Sequence, residues 1–128
     1  MKKPTRILFV CARALQRSPT AVDVAVHLAK QAGRKVKGID SDIDFDYEIL
    51  SAGTCVDEEN EEGRQVDKDL CDRMNIIVAM DYSIQQHVIN YCRQAPGRVA
   101  NLEIEDKYER GDKELIEILE KELARYLQ

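Results

Sequence analysis

Apolar and polar residues fall in short blocks along the chain, and their spacing predicts alternating strands and helices. Arg6–Val10 (RILFV) is a continuous apolar run rich in β-formers, the pattern of a strand buried on both faces. Ser18-Pro19 then reads as a helix start, with Ser18 as N-cap and Pro19 at the first helical position. That helix runs to about Ala32, where Gly33 can end it. Its apolar residues Val22, Val24, Ala25, Val26, Leu28 and Ala29 cover much of the circumference, so deep burial is expected. Residues 40–51 alternate, with Asp40, Asp42, Asp44, Asp46 and Glu48 set against Ile43, Phe45, Tyr47 and Ile49. A period of two predicts a strand with one wet, acidic face, at least from Tyr47 to Ser51.

A short helix around Val66–Arg73 precedes a third strand, Ile76–Met80, which ends at Asp81. Ser83-Ile-Gln-Gln86 reads as a capping box opening a helix to about Cys92. Gln94-Ala-Pro-Gly97 is a turn, Arg98–Ile104 a fourth strand, and Asp112 the cap of a last helix with Ile116, Leu119, Leu123 and Tyr126 as its apolar stripe. Strands alternating with helices predict an α/β fold, a small parallel sheet with helices on both faces.

At 128 residues and 44% apolar content, the chain is one domain, residues 1–128, with a single core. The net charge of −5 excludes a nucleic-acid binder driven by overall charge. No apolar run approaches the ~18–20 residues that span a bilayer, and the first residues lead straight into a strand, so neither membrane insertion nor secretion is expected. The four cysteines, Cys11, Cys55, Cys71 and Cys92, show no Cys-x-x-Cys spacing, and His27 and His87 have no ligand neighbours, so no metal and no cofactor is expected. The Asp-x-Asp-x-Asp run from Asp40 begins like a calcium loop but has Phe45 at the glycine position and Ser51 at the closing glutamate, which excludes that reading. A cytoplasmic enzyme with reduced thiols fits best.

Charge is unevenly spread: residues 1–39 carry +8 and residues 40–62 carry −10. The positive field around the first strand and helix favours an anionic small ligand there. The run 57–62 (DEENEE) reads as a solvated loop.

Candidate chemistry is concentrated in Cys11-Ala-Arg-Ala-Leu-Gln-Arg17-Ser18, a Cys-x5-Arg-Ser motif between a buried strand and a helix start. A thiolate is the reactive form of cysteine, and its pKa falls beside a helix N-terminus and a guanidinium. The loop N–H groups of Ala12, Arg13, Ala14, Leu15 and Gln16, with the positive end of the helix, can cradle a tetrahedral oxyanion. Arg17 can hold two of its oxygens in a fork that tightens as charge spreads in a transition state. Ser18 can donate to the thiolate or cap the helix. Chance supplies roughly 0.3 Cys-x5-Arg spacings in such a composition, and ~0.02 once a following Ser or Thr is required. Cys92-x5-Arg98 is a second match, but Val99 follows it and no helix start faces it, so it reads as accidental.

RILFVCARALQRSPTA resembles the phosphate loop of the low-molecular-weight protein tyrosine phosphatases, Val-Cys-x5-Arg-Ser-Pro. Ser51-Ala-Gly-Thr54 and Ile76–Asp81 match further motifs of that family, and Leu102–Tyr108 with Asp112–Leu115 resembles its short prokaryotic branch. The resemblance implies a four-stranded parallel sheet of flavodoxin-like character and hydrolysis of a phosphorylated protein or small phosphomonoester through a phosphocysteine on Cys11. It also implies an aspartate that protonates the leaving group, by position Asp106, with Asp81, Glu105 and Asp112 as other candidates, and a substrate wall to which Tyr108 contributes. The chain departs from the family in lacking the loop's Gly and Asn, in having Gln16 for its second cysteine and in having Lys107 after Asp106 for a proline. Two other readings share the motif. A thiol-dependent arsenate reductase needs two further cysteines close in sequence, whereas Cys71 and Cys92 are 21 positions apart. A non-catalytic oxyanion-binding module is motivated by the missing Gly, Asn and Pro.

Overall fold

The computed structural model describes residues 3–127. Its elements are β1 (Thr5–Cys11), α1 (Arg17–Gln31), β2 (Tyr47–Gly53), α2 (Lys68–Asp72), β3 (Ile76–Ala79), α3 (Tyr82–Tyr91), β4 (Val99–Asn101) and α4 (Lys113–Leu123). The four strands form one parallel sheet in the order β2-β1-β3-β4. The sheet divides the expected single core in two, because side chains alternate across β1: Ile7 and Phe9 enter a core under α1 and α4, whereas Leu8 and Val10 enter a second core under α2 and α3. All four of these residues are fully buried, as a strand packed on both faces requires. Because β1 is flanked by β2 on one side and β3 on the other, the connections after β1 and β3 diverge at the carboxyl end of the sheet. Parallel sheets bind ligands in the crevice this divergence opens.

Several elements begin or end where side chains, rather than hydrophobic period, dictate. Helix α1 starts at Arg17 with Gln16 in the capping position, and no side chain caps it. Ser18 lies inside the first turn and is fully buried, so the expected cap role falls away. Helix α3 starts at Tyr82, and its cap is Asp81, whose Oδ1 accepts from the Ile84 N–H at 2.9 Å. Ser83 is therefore a first-turn residue rather than the cap. Strand β4 covers three residues instead of seven, because Glu103 adopts a left-handed φ of 54° and breaks the ladder. Beyond it the chain still follows β3, with Leu102 N–H donating to Ala79 O and Ile104 N–H to Met80 O.

The alternating stretch before Tyr47 is not a strand. Its carboxylates turn back on the backbone, Asp40 accepting from Val36 N–H and Asp46 from Lys35 N–H, both at 2.8 Å. Within β2, Glu48 is 8% exposed rather than wet, and Lys37 Nζ lies 2.7 Å from its carboxylate. Asp112 caps α4 as expected, accepting from Glu114 and Leu115 N–H. The buried stripe of α4 is Leu115, Leu119 and Leu123, with Ile116 and Tyr126 packed at its edge.

The second Cys-x5-Arg spacing has a structural explanation. Arg98 donates to the carbonyls of Met74 at 2.5 Å and Cys71 at 3.4 Å, and to Gln94 Oε1. Its guanidinium thus closes the end of α2 rather than facing an anion. Replacing it, as in Arg98→Met, is expected to lower unfolding stability by about 1.5–3 kcal/mol, the range for hydrogen bonds from a charged group. Urea denaturation checks this, and oxyanion binding at the Cys11 loop should persist in the folded variant.

Candidate active site

Loop 12–16 joins β1 to α1 at the carboxyl end of the sheet, next to the end of β3. Among the described residues, no backbone N–H from Ala12 to Gln16 donates to another protein group. Together with the uncapped start of α1, these N–H groups form the unengaged donor set that an oxyanion needs. A cavity of about 290 Å³ opens over them, lined by Cys11, Ala12, Arg13, Leu15, Gln16, Arg17 and Asp106.

Cys11 Sγ lies 3.0 Å from Ser18 Oγ, which is also 3.4 Å from Ala52 O. A serine has one hydroxyl proton, so the two contacts form a relay. With a thiol, Sγ–H can donate to Oγ while Oγ–H donates to Ala52 O. With a thiolate, the hydroxyl must turn and donate to sulfur.

Arg17 is 2% exposed, and its surroundings fix it in place. Nη1 donates to Asp81 Oδ2 at 2.8 Å and to Ile104 O at 2.7 Å, and Nε lies 3.6 Å from Asp106 Oδ1. No partner engages Nη2 among the described residues, and no side-chain nitrogen there is both buried and unpaired, so Nη2 is accessible from the cavity that Arg17 lines. Asp81 holds the guanidinium with one oxygen and caps α3 with the other. Sequence reading placed Asp81 at a strand end and among the candidate acids. Nothing local signalled the ion pair, because Arg17 is 64 positions away.

Around the cavity the candidate residues divide. Cys11, Arg17, Asp106, Ala12, Arg13, Leu15 and Gln16 come together there. Ser18 stands behind the sulfur, fully buried. Ala14 turns away from the cavity and carries the loop's left-handed residue, φ 57°. A glycine would adopt that conformation without the steric cost an alanine carries. Tyr108 is 7% exposed and does not line the cavity: its ring packs in the core under α4, with its hydroxyl 3.4 Å from Glu114 Oε1. The expected aromatic wall is therefore absent at Tyr108, and the exposed apolar group at the rim is Leu15, 42% accessible.

The loop is braced from outside. Thr54 N–H donates to Cys11 O at 3.0 Å and Cys55 N–H to Ala12 O at 2.7 Å. Asn60 Nδ2 reaches Arg13 O at 3.4 Å, a contact that sequence gave no reason to expect. Gly53 faces the loop so closely that a Cβ would sit 2.7 Å from Ala12 O and 2.9 Å from Ala14 N. Cys71 and Cys92, distant in sequence, touch in the core under α2 and α3. Burial, then the neighbouring Cys92, pushes the Cys71 thiol up to about 12, and burial also raises Cys92. Both therefore stay protonated at neutral pH. Among the described residues, no group of three or more His, Cys, Asp or Glu side chains could hold a metal ion, and no helix is long and apolar enough to cross a membrane.

Gly53→Ala is expected to force the loop backbone outward and to weaken orthovanadate binding by at least about tenfold, with the fold retained. Calorimetric titration with vanadate, beside a circular-dichroism spectrum of the variant, measures both.

No family model and no curated protein matches the sequence. Solved structures do match. The tyrosine phosphatase Wzb from Escherichia coli K30, in complex with sulphate, superposes with a TM-score of 0.70 over 98% of this chain and 97% of its own, at 18% identity. A YwlE mutant from Bacillus subtilis gives 0.73 over 96% of each chain at 17% identity. A protein tyrosine phosphatase from Entamoeba histolytica gives 0.73 over 95% of this chain and 94% of its own at 21% identity. Another structure of YwlE is described as an arginine phosphatase with a phosphorylated active-site serine. The sheet order, the loop between β1 and α1, and these superpositions together identify the chain as having the fold of the low-molecular-weight protein tyrosine phosphatases.

Proposed function

We propose that the protein is a cysteine-dependent phosphatase that hydrolyses phosphotyrosine or a related phosphomonoester. The observation that carries this reading is that one cavity is lined by Cys11, by the loop residues Ala12, Arg13, Leu15 and Gln16 with their unengaged N–H groups, and by a buried arginine with a free edge. A phosphoryl group seated on the loop puts phosphorus over Cys11 Sγ, with its equatorial oxygens on the N–H groups and Arg17 Nη2. The thiolate, held by the Ser18 hydroxyl, attacks phosphorus in line with the leaving oxygen, and an S–P bond forms as the P–O bond breaks. The proton needed by the departing alkoxide or phenoxide comes from Asp106 at the cavity lip, whose side chain is 60% accessible and therefore free to reach it. Water then attacks the phosphocysteine, Asp106 takes up its proton, and phosphate leaves with the thiolate restored. An incoming oxyanion competes with Asp106 for Arg17 Nε, so seating the substrate also releases the carboxyl for this work.

Leu15 favours an aromatic leaving group, because an exposed apolar side chain at the rim can lie against a ring. The arsenate-reductase reading loses support, since it requires Cys71 and Cys92 to pass a disulfide toward Cys11. Cys92 instead follows the last residue of α3, the end of that helix opposite Asp81 and Arg17. The oxyanion-receptor reading rests on the missing Gly, Asn and Pro, with Ala14 left-handed in a loop that has no glycine, and it differs from the enzyme in one respect, turnover.

Under reductant, wild-type protein is expected to hydrolyse p-nitrophenyl phosphate. Cys11→Ser should lose at least about a thousandfold in kcat while still binding phosphate. Asp106→Ala should lose about a hundredfold or more on phosphotyrosine, and much less on p-nitrophenyl phosphate, whose leaving group needs little help from an acid. Vanadate binding without any thiol-dependent turnover would instead make the loop a receptor. Equal loss on both substrates would remove Asp106 as the acid.

A further inference from the structure

A second cavity, of about 180 Å³, adjoins the phosphate cavity and shares Leu15 with it. Leu15, Pro19 and Val22 supply apolar walls, and Asn60, Glu62 and Arg110 the polar ones. Two of these polar groups are already engaged. Arg110 lies 3.3 Å from Asp23, and Asn60 is held between Arg13 O and the Gly63 N–H. Glu62 is the exception: its carboxylate makes no ion pair or hydrogen bond among the described residues. The side chains of Asp57, Glu58, Glu59 and Glu61, on the same exposed segment, likewise have no ion-pair partner among the described residues; with Arg64 the one base of that segment and Arg110 paired to Asp23, this side of the opening keeps an acidic excess.

We propose that this cavity is a subsite for a basic side chain of a substrate polypeptide, a Lys or Arg next to the phosphorylated residue. The apolar walls suit the methylene stem of such a side chain, and the Glu62 carboxylate suits its charged head. The inference rests on the phosphatase reading and assigns its substrate class: phosphorylated segments that are locally basic. The division of charge fits one chain segment lying across both cavities. The dianionic phosphoryl group meets Arg17 and the loop N–H groups, while the flanking cation meets Glu62. An acidic flank would instead meet the unpaired Glu62 carboxylate on the acidic side of the opening, with Arg110 already engaged by Asp23.

Three phosphotyrosine peptides, identical except for Lys, Ala or Glu beside the phosphotyrosine, test this. At low salt, wild-type kcat/KM is expected to fall in that order, by about tenfold from Lys to Glu. The spread should shrink toward unity at about 0.5 M salt, where the Debye length is ~4 Å. Glu62→Lys should reverse the order. A Lys-to-Glu ratio near one that Glu62→Lys leaves unchanged would overturn the subsite while the phosphatase reading stands. If wild-type protein hydrolyses neither the peptides nor p-nitrophenyl phosphate, the phosphatase reading fails on its own. The same peptides titrated calorimetrically against wild-type protein then decide the subsite, which stands if Kd follows the charge order and falls if the peptides bind alike or not at all.

Discussion

Arg17 is a charged group withdrawn from water, and a buried guanidinium persists only where its donors are met. Here Asp81 and the Ile104 carbonyl take the two Nη1 protons and Asp81 supplies the counter-charge, which leaves Nη2 at the cavity. Those two partners come from the end of β3 and from the segment beyond β4, whereas Arg17 opens α1. One side chain therefore ties together three connections at the carboxyl edge of the sheet. The arrangement also orients the arginine: with Nη1 occupied twice, the free edge that remains is the one at the cavity. Asp81 extends the linkage, since the same carboxylate starts α3. A loop with no regular structure of its own thus sits among groups that cannot shift independently.

Most of the architecture was legible from residue pattern because β1, β3 and α1 are strongly apolar and local in their signals. The loop motif was legible for a related reason: Cys11, Arg17 and Ser18 lie within one strand-to-helix turn, so sequence spacing and spatial proximity coincide. The helix caps were harder. Ser18 and Ser83 look like caps by residue type, yet each lies one or more positions inside its helix. At α1 no side chain caps the helix, and at α3 the cap is Asp81, whose other oxygen holds Arg17. The acidic alternation before Tyr47 misled for a local reason, as short carboxylates there bond their own backbone in preference to a ladder.

What the chain could not reveal on its own were contacts made at long range. Tyr108 belongs to the core rather than to the rim, a placement decided by α4 packing over it. Cys71 and Cys92 meet although they are far apart in sequence, and Asn60 reaches Arg13 from a segment that reads as a solvated acidic loop. The loop lacks the glycine and asparagine that the phosphatase motif carries. In this chain the bracing comes from Asn60 and from the backbone beyond β2, so a local departure from the motif leaves the loop supported.

The close approach of Gly53 to the loop bears on how portable the motif is. A Cβ there would collide with backbone atoms at Ala12 and Ala14, so the loop's curvature is moulded against β2 as well as encoded in its own residues. The left-handed Ala14 points the same way, because an alanine holds that conformation at a cost of about 1–2 kcal/mol and relaxes when its surroundings are removed. Grafted onto another strand–helix junction, the heptad Cys11–Arg17 would carry its cysteine and its arginine but lose its shape. The inheritable unit is the junction of two neighbouring strands, and recombination that separated them would leave the motif readable in sequence and empty in chemistry.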